Sequence, residues 1–178
     1  MRKRMLVAGS FLLVTILGAG ELGARYLRIA PLPAVVQAAG LSPNSNPGFV
    51  LLPASEINSY IKFHLADPKV SVQSWQPSVA DIEGLDDNLL QISSLKENEF
   101  KSTRHIDNPG EYFRQYLPIV PSGKKLIFVN AMCGGAGESS DEWRHHLIIV
   151  CDGGDCFWQV YYDPATKQFS NLMINGRA

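Results

Sequence analysis

The residues best suited to chemistry lie in one stretch of the chain that begins at Cys133. Cys133 is followed by Gly-Gly-Ala-Gly, and His145 and His146 come about a dozen residues later, with Asp141 and Glu142 in between. A thiol, a base and an orienting carboxylate are the parts of a nucleophilic site, and glycine N–H groups can stabilise an oxyanion. These residue types therefore permit a thiol-dependent hydrolase or redox enzyme that uses Cys133 with His145 or His146.

The sequence around Cys133 argues against that chemistry. A reactive thiolate usually needs a helix N-terminus or a cation to lower the pKa of the thiol, whereas Cys133 ends a predicted strand. The sequence has no Cys-x-x-Cys or His-x-x-x-His spacing, so we expect no metal, and no phosphate-loop motif indicates another cofactor. The pattern favours a protein that is not an enzyme.

Aromatic residues concentrate in the second half of the chain and indicate a different kind of site. On strands whose side chains alternate, about half of these residues would face away from the helices. An uncovered aromatic face is a plausible contact surface for a partner, although the first helix and the long loops could instead cover it. We take four residues as the candidate binding surface: Tyr112, Arg114, Asn130 and Trp158.

The elements that would position these residues follow from hydrophobic periodicity. Apolar residues at helical spacing predict one helix after Ser55 and a second after Ser78, where Ser78 and Asp81 have the spacing of a capping box. Five strands are predicted, at 112–120, 124–133, 146–151, 156–162 and 169–174. Short turns between strands indicate antiparallel pairing. The sequence thus predicts an α+β fold, with two helices packed on one face of a four- to five-stranded antiparallel sheet, preceded by an N-terminal apolar helix.

The N-terminus has the pattern of an export signal. The sequence MRKR precedes an uncharged apolar run over residues 5–20, which predicts that the following chain crosses a membrane. We assign residues 1–30 to a signal or anchor segment, 31–53 to a proline-rich linker and 54–178 to an α+β envelope domain. An uncleaved anchor would leave this domain in the periplasm, attached to the inner membrane. A cleaved leader would make the protein periplasmic or secreted.

Composition excludes other classes of protein. In 178 residues, 46% are hydrophobic and 19% are charged, which is typical of a folded domain and not of a disordered chain. The 16 basic residues are balanced by 17 acidic ones, giving a net charge of −1. No excess of positive charge is present to bind phosphates, so we expect no nucleic acid partner.

The three cysteines allow one disulfide bond and one free thiol. Export would place them in an oxidising compartment, where a disulfide persists. Cys156 could pair with Cys151 across a short turn, which would fix the register of a hairpin. It could instead pair with Cys133, which requires the strand that ends at Cys133 to lie beside the strand that starts at Cys156. Both pairings remain open at this point.

Several short motifs together resemble an uncharacterised family of small exported or membrane-anchored bacterial proteins. They are Trp75-Gln-Pro, Asp81-Ile82, Tyr112-Phe-Arg-Gln-Tyr116, Leu126-Ile-Phe-Val-Asn-Ala-Met-Cys133, Asp152-Gly-Gly, Phe157-Trp158, Tyr162-Asp-Pro-Ala-Thr166 and Asn175-Gly-Arg-Ala178. The resemblance implies export and a single domain. It implies no activity, because the family has no assigned one.

Three functions are compatible with these patterns. The favoured hypothesis is an envelope domain, held at the membrane by its N-terminal segment, that binds a protein or peptide through its sheet without catalysis. The alternative is the thiol-dependent enzyme based on Cys133. A third hypothesis, a small-ligand carrier, would require a large apolar cavity between the helices and the sheet.

Overall fold

The computed structural model describes residues 48–65, 70–97, 104–134 and 141–177. The predicted signal or anchor segment, with its N-terminal helix, and most of the predicted linker lie outside these residues. Among the described residues, no helix has the length and apolar character needed to span a membrane.

A mixed sheet of six strands forms the centre of the domain. The strands are β1 (Phe49–Leu51), β2 (Val72–Gln73), β3 (Phe113–Pro121), β4 (Leu126–Met132), β5 (Phe157–Asp163) and β6 (Gln168–Ile174). They are arranged in the order β1-β3-β4-β5-β6, and β2 also pairs with β3. Strands β3 to β6 form an antiparallel meander. The pairs β3–β4 and β5–β6 are joined by short turns, as predicted. Strands β4 and β5 also pair directly, although a long connection separates them and a further strand, 146–151, was predicted between them.

The sheet differs from the prediction at its first edge. Strand β1 lies within the stretch assigned to the linker, and it pairs with β3 in parallel, with Val50 opposite Gln115. The sheet is therefore mixed and has six strands rather than four or five. Pro118 lies between the part of β3 that pairs with β1 and the part that pairs with β2, so its missing N–H breaks no strand pairing on that side.

The two helices lie on opposite faces of the sheet, which corrects the prediction of one covered face. Helix α1 (Ile57–His64) and helix α2 (Val79–Asp87) belong to separate apolar clusters. The α1 cluster is the set of buried residues around Ile57 and Tyr60, and the α2 cluster is the set around Ile82 and Leu85. Strand β4 is apolar on both sides: Val129 belongs to the α2 cluster and Phe128 to the α1 cluster. A strand with two apolar faces must be covered on both to remove them from water.

Local sequence signals set the start of α2. The Ser78 hydroxyl accepts a hydrogen bond from the backbone N–H of Asp81, and the Asp81 carboxylate accepts one from the backbone N–H of Ser78 at 2.8 Å. The predicted capping box is thereby confirmed. Inside α2, a Cβ at Gly84 would lie 3.0 Å from the Tyr162 hydroxyl, so glycine allows this helix to approach β5 closely.

Candidate functional site

Four side-chain amides form a continuous row across the sheet on the α1 side. Gln115 on β3, Asn130 on β4 and Gln159 on β5 are direct cross-strand neighbours, and Asn175 follows β6. Asn130 Nδ2 donates to Gln115 Oε1 at 2.8 Å, and Gln159 Nε2 donates to Asn130 Oδ1 at 3.1 Å and to Asn175 Oδ1 at 3.4 Å. We call these four residues the amide ladder.

A segment that joins no strand of the sheet, residues 143–152, crosses the amide ladder; we call it the strap. Its first residues end a short 3-10 helix (Asp141–Arg144), and residues 147–150 follow without helix or strand pairing. Gln115 Nε2 donates to the carbonyl oxygens of Trp143 and His146, both at 2.6 Å. Gln115 Oε1 accepts from the backbone N–H of Ile148 at 3.0 Å. A single amide therefore binds the strap both as donor and as acceptor.

The other ladder residues continue these contacts along the strap. Asn130 Nδ2 donates to the Ile148 carbonyl at 2.8 Å, and Asn175 Nδ2 donates to the carbonyls of Val150 and Asp152. Each of the four ladder amides thus makes two donor contacts, and a buried polar network with its hydrogens satisfied is stabilising and rigid. The predicted strand over 146–151 is wrong for this reason: the segment binds side chains on the sheet face instead of joining the sheet.

A buried carboxylate fixes the start of the strap. Glu56, only 8% exposed, accepts from the backbone N–H of Leu147 at 2.9 Å through Oε2. Its Oε1 lies 3.3 Å from His146 Nδ1. Leu147 is buried in the α1 cluster and Ile149 packs against that cluster, so alternate strap residues point into the apolar core.

The predicted binding residues do not form one surface. Trp158 is fully buried on the α2 face, where Tyr112 contacts it edge-on, and Arg114 is buried on the same face. Asn130 lies on the opposite face, in the amide ladder. Of the two alternatives left open by the sequence, the covered sheet is the one found: α2 covers one face, and α1 and the strap cover the other.

Arg114 instead takes part in a buried polar cluster between β3 and α2. Its Nε donates to the Tyr116 hydroxyl at 3.0 Å, and that hydroxyl donates to Asp86 at 2.6 Å. Burial raises the pKa of Tyr116 well above its ordinary value. Burial also raises the pKa of Asp86, and the hydrogen bond from Tyr116 and the charge of Arg114 partly offset this second shift. These contacts attach α2 to the sheet.

Cys133 and Cys156 form a disulfide bond, with their Cα atoms 4.9 Å apart. The pair lies where β4 ends and β5 begins, and Cys133 N–H donates to the Cys156 carbonyl at 2.9 Å. Cys151 has a free, exposed thiol. Of the two pairings left open by the sequence, Cys133–Cys156 is the one found. The proposed nucleophile therefore has no free thiol, which argues against the thiol enzyme.

The two candidate histidines contact carboxylates on different elements. His145 Nε2 lies 3.3 Å from Asp141 Oδ2 on the surface, whereas His146 contacts Glu56. Within the described residues, no group of three or more histidine, cysteine or acidic side chains is placed to hold a metal ion. The structure thus pairs His145 with Asp141, one of the predicted carboxylates, whereas Cys133 is bonded to Cys156 and offers no free thiol beside a base.

His64, at the end of α1, is a titratable group that the sequence analysis did not use. Its ring stacks on Tyr60 at 5.7 Å between centroids and contacts Phe128 at 4.7 Å. Its Nε2 is buried and has no hydrogen-bond partner among the described residues. Burial lowers the pKa of His64 to about 4.

We expect the substitution His64→Phe to remove part of the acid sensitivity of folding. The unfolded chain binds a proton at His64 near pH 6.5, whereas the folded chain binds it only near pH 4. The contribution of neutral His64 to the free energy of unfolding is therefore complete above about pH 6.5, and it is lost as the pH falls toward 4. Between pH 7.5 and 4.5 the parent should lose about 2 kcal/mol more than H64F.

Urea denaturation at these two pH values measures that difference. His105, whose side chain is 56% exposed beside Asp107, provides a control for the substitution itself: H105F also replaces a histidine by phenylalanine, but at a surface position outside the apolar core. Equal losses for the parent and H64F would contradict the role given to His64.

A cavity of about 470 Å³ lies at another part of the surface, lined by Arg104, Asp155, Gly176 and Arg177. Its charged groups pair with one another: Asp155 lies 2.8 Å from Arg177 and 3.7 Å from Arg104. Arg104 also makes a two-pronged contact with Glu97, which does not line the cavity. This charged cavity is not the apolar cavity that a small-ligand carrier would need.

Comparisons with protein-family models, with curated proteins and with solved structures found no match to this chain.

Proposed function

We propose that the protein is an exported, non-catalytic binding domain of the bacterial envelope that holds an extended protein segment on the amide-ladder face of its sheet. The observation that carries the proposal is the binding of the strap by Gln115, Asn130 and Asn175 through its main-chain groups. Contacts to main-chain groups recognise the extended conformation of a peptide and depend little on its side chains.

The chemistry of the remaining candidates supports binding rather than catalysis. Cys133 is oxidised, His146 contacts a carboxylate that also fixes the strap, and His145 lies on the surface beside Asp141. A nucleophilic mechanism needs a nucleophile and a base in hydrogen-bond reach. The amide ladder, in contrast, is a set of donors and acceptors that already binds the main chain of one segment, the strap.

The proposed location rests on the N-terminal sequence and agrees with the disulfide. A basic start followed by an apolar run would attach the domain to the inner membrane, or export it to the periplasm after cleavage. A Cys133–Cys156 bond is stable in that oxidising compartment and rare in the cytosol. The partner would accordingly be a periplasmic protein or a periplasmic part of a membrane protein.

Site-specific photocrosslinking in intact cells tests this function. Ser55 is exposed and directly precedes Glu56, which contacts the strap, whereas Leu90 is 75% exposed on the α2 side. A photoreactive residue at 55 should form an adduct with a discrete envelope protein, and the same residue at 90 should not. The crosslinked partner peptide is then identified by mass spectrometry. Absence of an adduct at 55, or equal adducts at both positions, would overturn the proposal.

A further inference from the structure

The strap is bound to the sheet in the way that a peptide ligand is bound. In the described part of the chain, the hydrogen bonds that join residues 147–152 to the sheet come from side chains, namely Gln115, Asn130 and Asn175. Neighbouring strands β3 to β6 are instead joined by main-chain pairs. Residues 148–150 are half-buried and residues 151–152 are exposed.

We propose that the strap is an intramolecular stand-in for the partner, and that the ladder face binds in its place an extended peptide with a basic or hydrogen-bond-donating residue followed by apolar residues at alternate positions. This inference rests on the proposed function and names the ligand class of the same site. The strap itself provides the template, His146-Leu147-Ile148-Ile149.

The apolar part of this pattern follows from the α1 cluster. Leu147 is 6% exposed and contributes to this cluster, and Ile149 packs against it from two positions further along the strap. A spacing of two places both side chains on the same side of an extended chain. A competing peptide would have to fill the same two places, since each large apolar side chain contributes about 1.5 to 3 kcal/mol when buried.

The basic part follows from Glu56. This buried carboxylate accepts from the N–H of the residue at the Leu147 position and contacts the side chain that precedes it, here His146. A buried carboxylate is costly without a donor, so a peptide with a lysine, arginine or histidine before its first apolar residue would match it. An acidic residue at that position would be repelled.

The amide ladder demands that an occupant be extended. If the strap left and nothing replaced it, the donors of Gln115, Asn130 and Asn175 would lose their carbonyl partners. Each unsatisfied buried group costs about 1 to 3 kcal/mol. The bonded carbonyls of His146, Ile148, Val150 and Asp152 are two residues apart, a spacing that an extended chain offers and that a helix, which has bonded its own groups, does not. The Trp143 carbonyl, which Gln115 also binds, belongs to the short 3-10 helix that precedes them.

Competition between strap and partner is set by effective concentration. A tethered segment acts at roughly millimolar concentration, so a free copy of the strap sequence should bind poorly to the parent protein. Weakening the strap should expose the site. We therefore choose the variant L147G/I149G, which removes the two apolar side chains and leaves the ladder intact.

The probe is a fluorescent peptide with the sequence of residues 143–152, with serine at position 151. Fluorescence anisotropy should show at least tenfold tighter binding to L147G/I149G than to the parent. A control peptide with serine at the Leu147 and Ile149 positions should not bind either protein. The inference is overturned if a folded L147G/I149G, checked by near-ultraviolet circular dichroism, binds the probe no better than the parent does.

Hydrogen exchange on the unmodified protein provides a second test, which does not require the variant to fold. The amides of Leu147 and Ile148 should exchange through local opening of the strap, at least tenfold faster than the amides of Phe128 and Val129 in β4. Exchange of both sets at the same rate would overturn the inference, because the strap would then open only when the domain unfolds.

The two experiments separate this inference from the proposed function. An adduct at position 55 together with a failure of the strap probe would reject the strap as a stand-in while leaving a binding domain. Binding of the strap probe without any adduct at position 55 would support the peptide site and reject the envelope partner.

Discussion

Replacement of Arg114 by methionine is expected to lower the free energy of unfolding by about 3 to 5 kcal/mol. The Arg114 side chain is 8% exposed and donates to the carbonyls of Gly110 and Tyr112 as well as to the Tyr116 hydroxyl. Methionine keeps the aliphatic volume but removes these donors, so buried acceptors lose their partners. It also removes the positive charge 3.9 Å from Asp86.

The pH dependence of this loss has a definite sign. Burial already raises the pKa of Asp86, and Arg114 opposes that shift. Without Arg114, the pKa of Asp86 in the folded protein rises further above its value in the unfolded chain. The folded variant then binds more protons than the unfolded one, so its stability relative to the parent should improve as the pH falls from 7.5 to 5.

Urea denaturation at both pH values measures the loss and its change. Arg177 provides a control, because it is 71% exposed and its contact with Asp155 is on the surface. R177M should change the free energy of unfolding by less than about 1 kcal/mol at either pH. A loss below 1 kcal/mol for R114M, or a loss that grows toward pH 5, would contradict the role given to the Arg114 cluster.

Local signals in the sequence predicted both helices and four of the six strands, β3 to β6. The Ser78–Asp81 box, the helical spacing after Ser55 and the short turns between strands depend on residues close together in the chain. The sides on which the helices pack are not local. The apolar run of β4 is the residue pattern that favours cover on both faces, since Phe128 and Val129 point in opposite directions.

The strap shows a limit of pattern-based prediction. The sequence His-Leu-Ile-Ile-Val-Cys has the composition of a buried strand, and its apolar residues are indeed partly buried. Its hydrogen-bond partners, however, are side chains that lie far away in sequence. The available signal was the position of Gln115, Asn130 and Gln159 in the middle of otherwise apolar strands, because a buried amide needs a partner.

Strand β1 escaped prediction because it is short and its partner is distant. Phe49–Leu51 has three residues between prolines, and its pairing with β3 joins positions more than sixty residues apart. A parallel pair of this kind leaves no turn signal in the sequence. The stretch therefore appeared as the end of a linker, although Phe49 stacks on Tyr116 at 4.8 Å.

Removal of the disulfide, in the variant C133A/C156A, should lower the free energy of unfolding by about 3 kcal/mol. The bond closes a loop with a sequence separation of 23 residues. Closing a loop of this length lowers the conformational entropy of the unfolded chain, which stabilises the folded state by about 3 kcal/mol. Cys151 offers a matched control: its thiol is exposed and unpaired, so C151S should change the stability by less than about 0.5 kcal/mol. Equal losses for the two variants would contradict the pairing.

The same variant separates the stability of the domain from that of the strap. The loop closed by Cys133 and Cys156 contains the strap, but the pairing of β4 with β5 and the hydrogen bond from Cys133 to Cys156 hold its two ends together in the folded state without the disulfide. Hydrogen exchange in C133A/C156A should therefore accelerate about a hundredfold for β4 amides, which open by global unfolding. The Leu147 and Ile148 amides should change less than tenfold, because Glu56 and the amide ladder still hold them. Equal acceleration of both sets would mean that the disulfide, rather than the ladder, keeps the strap in place.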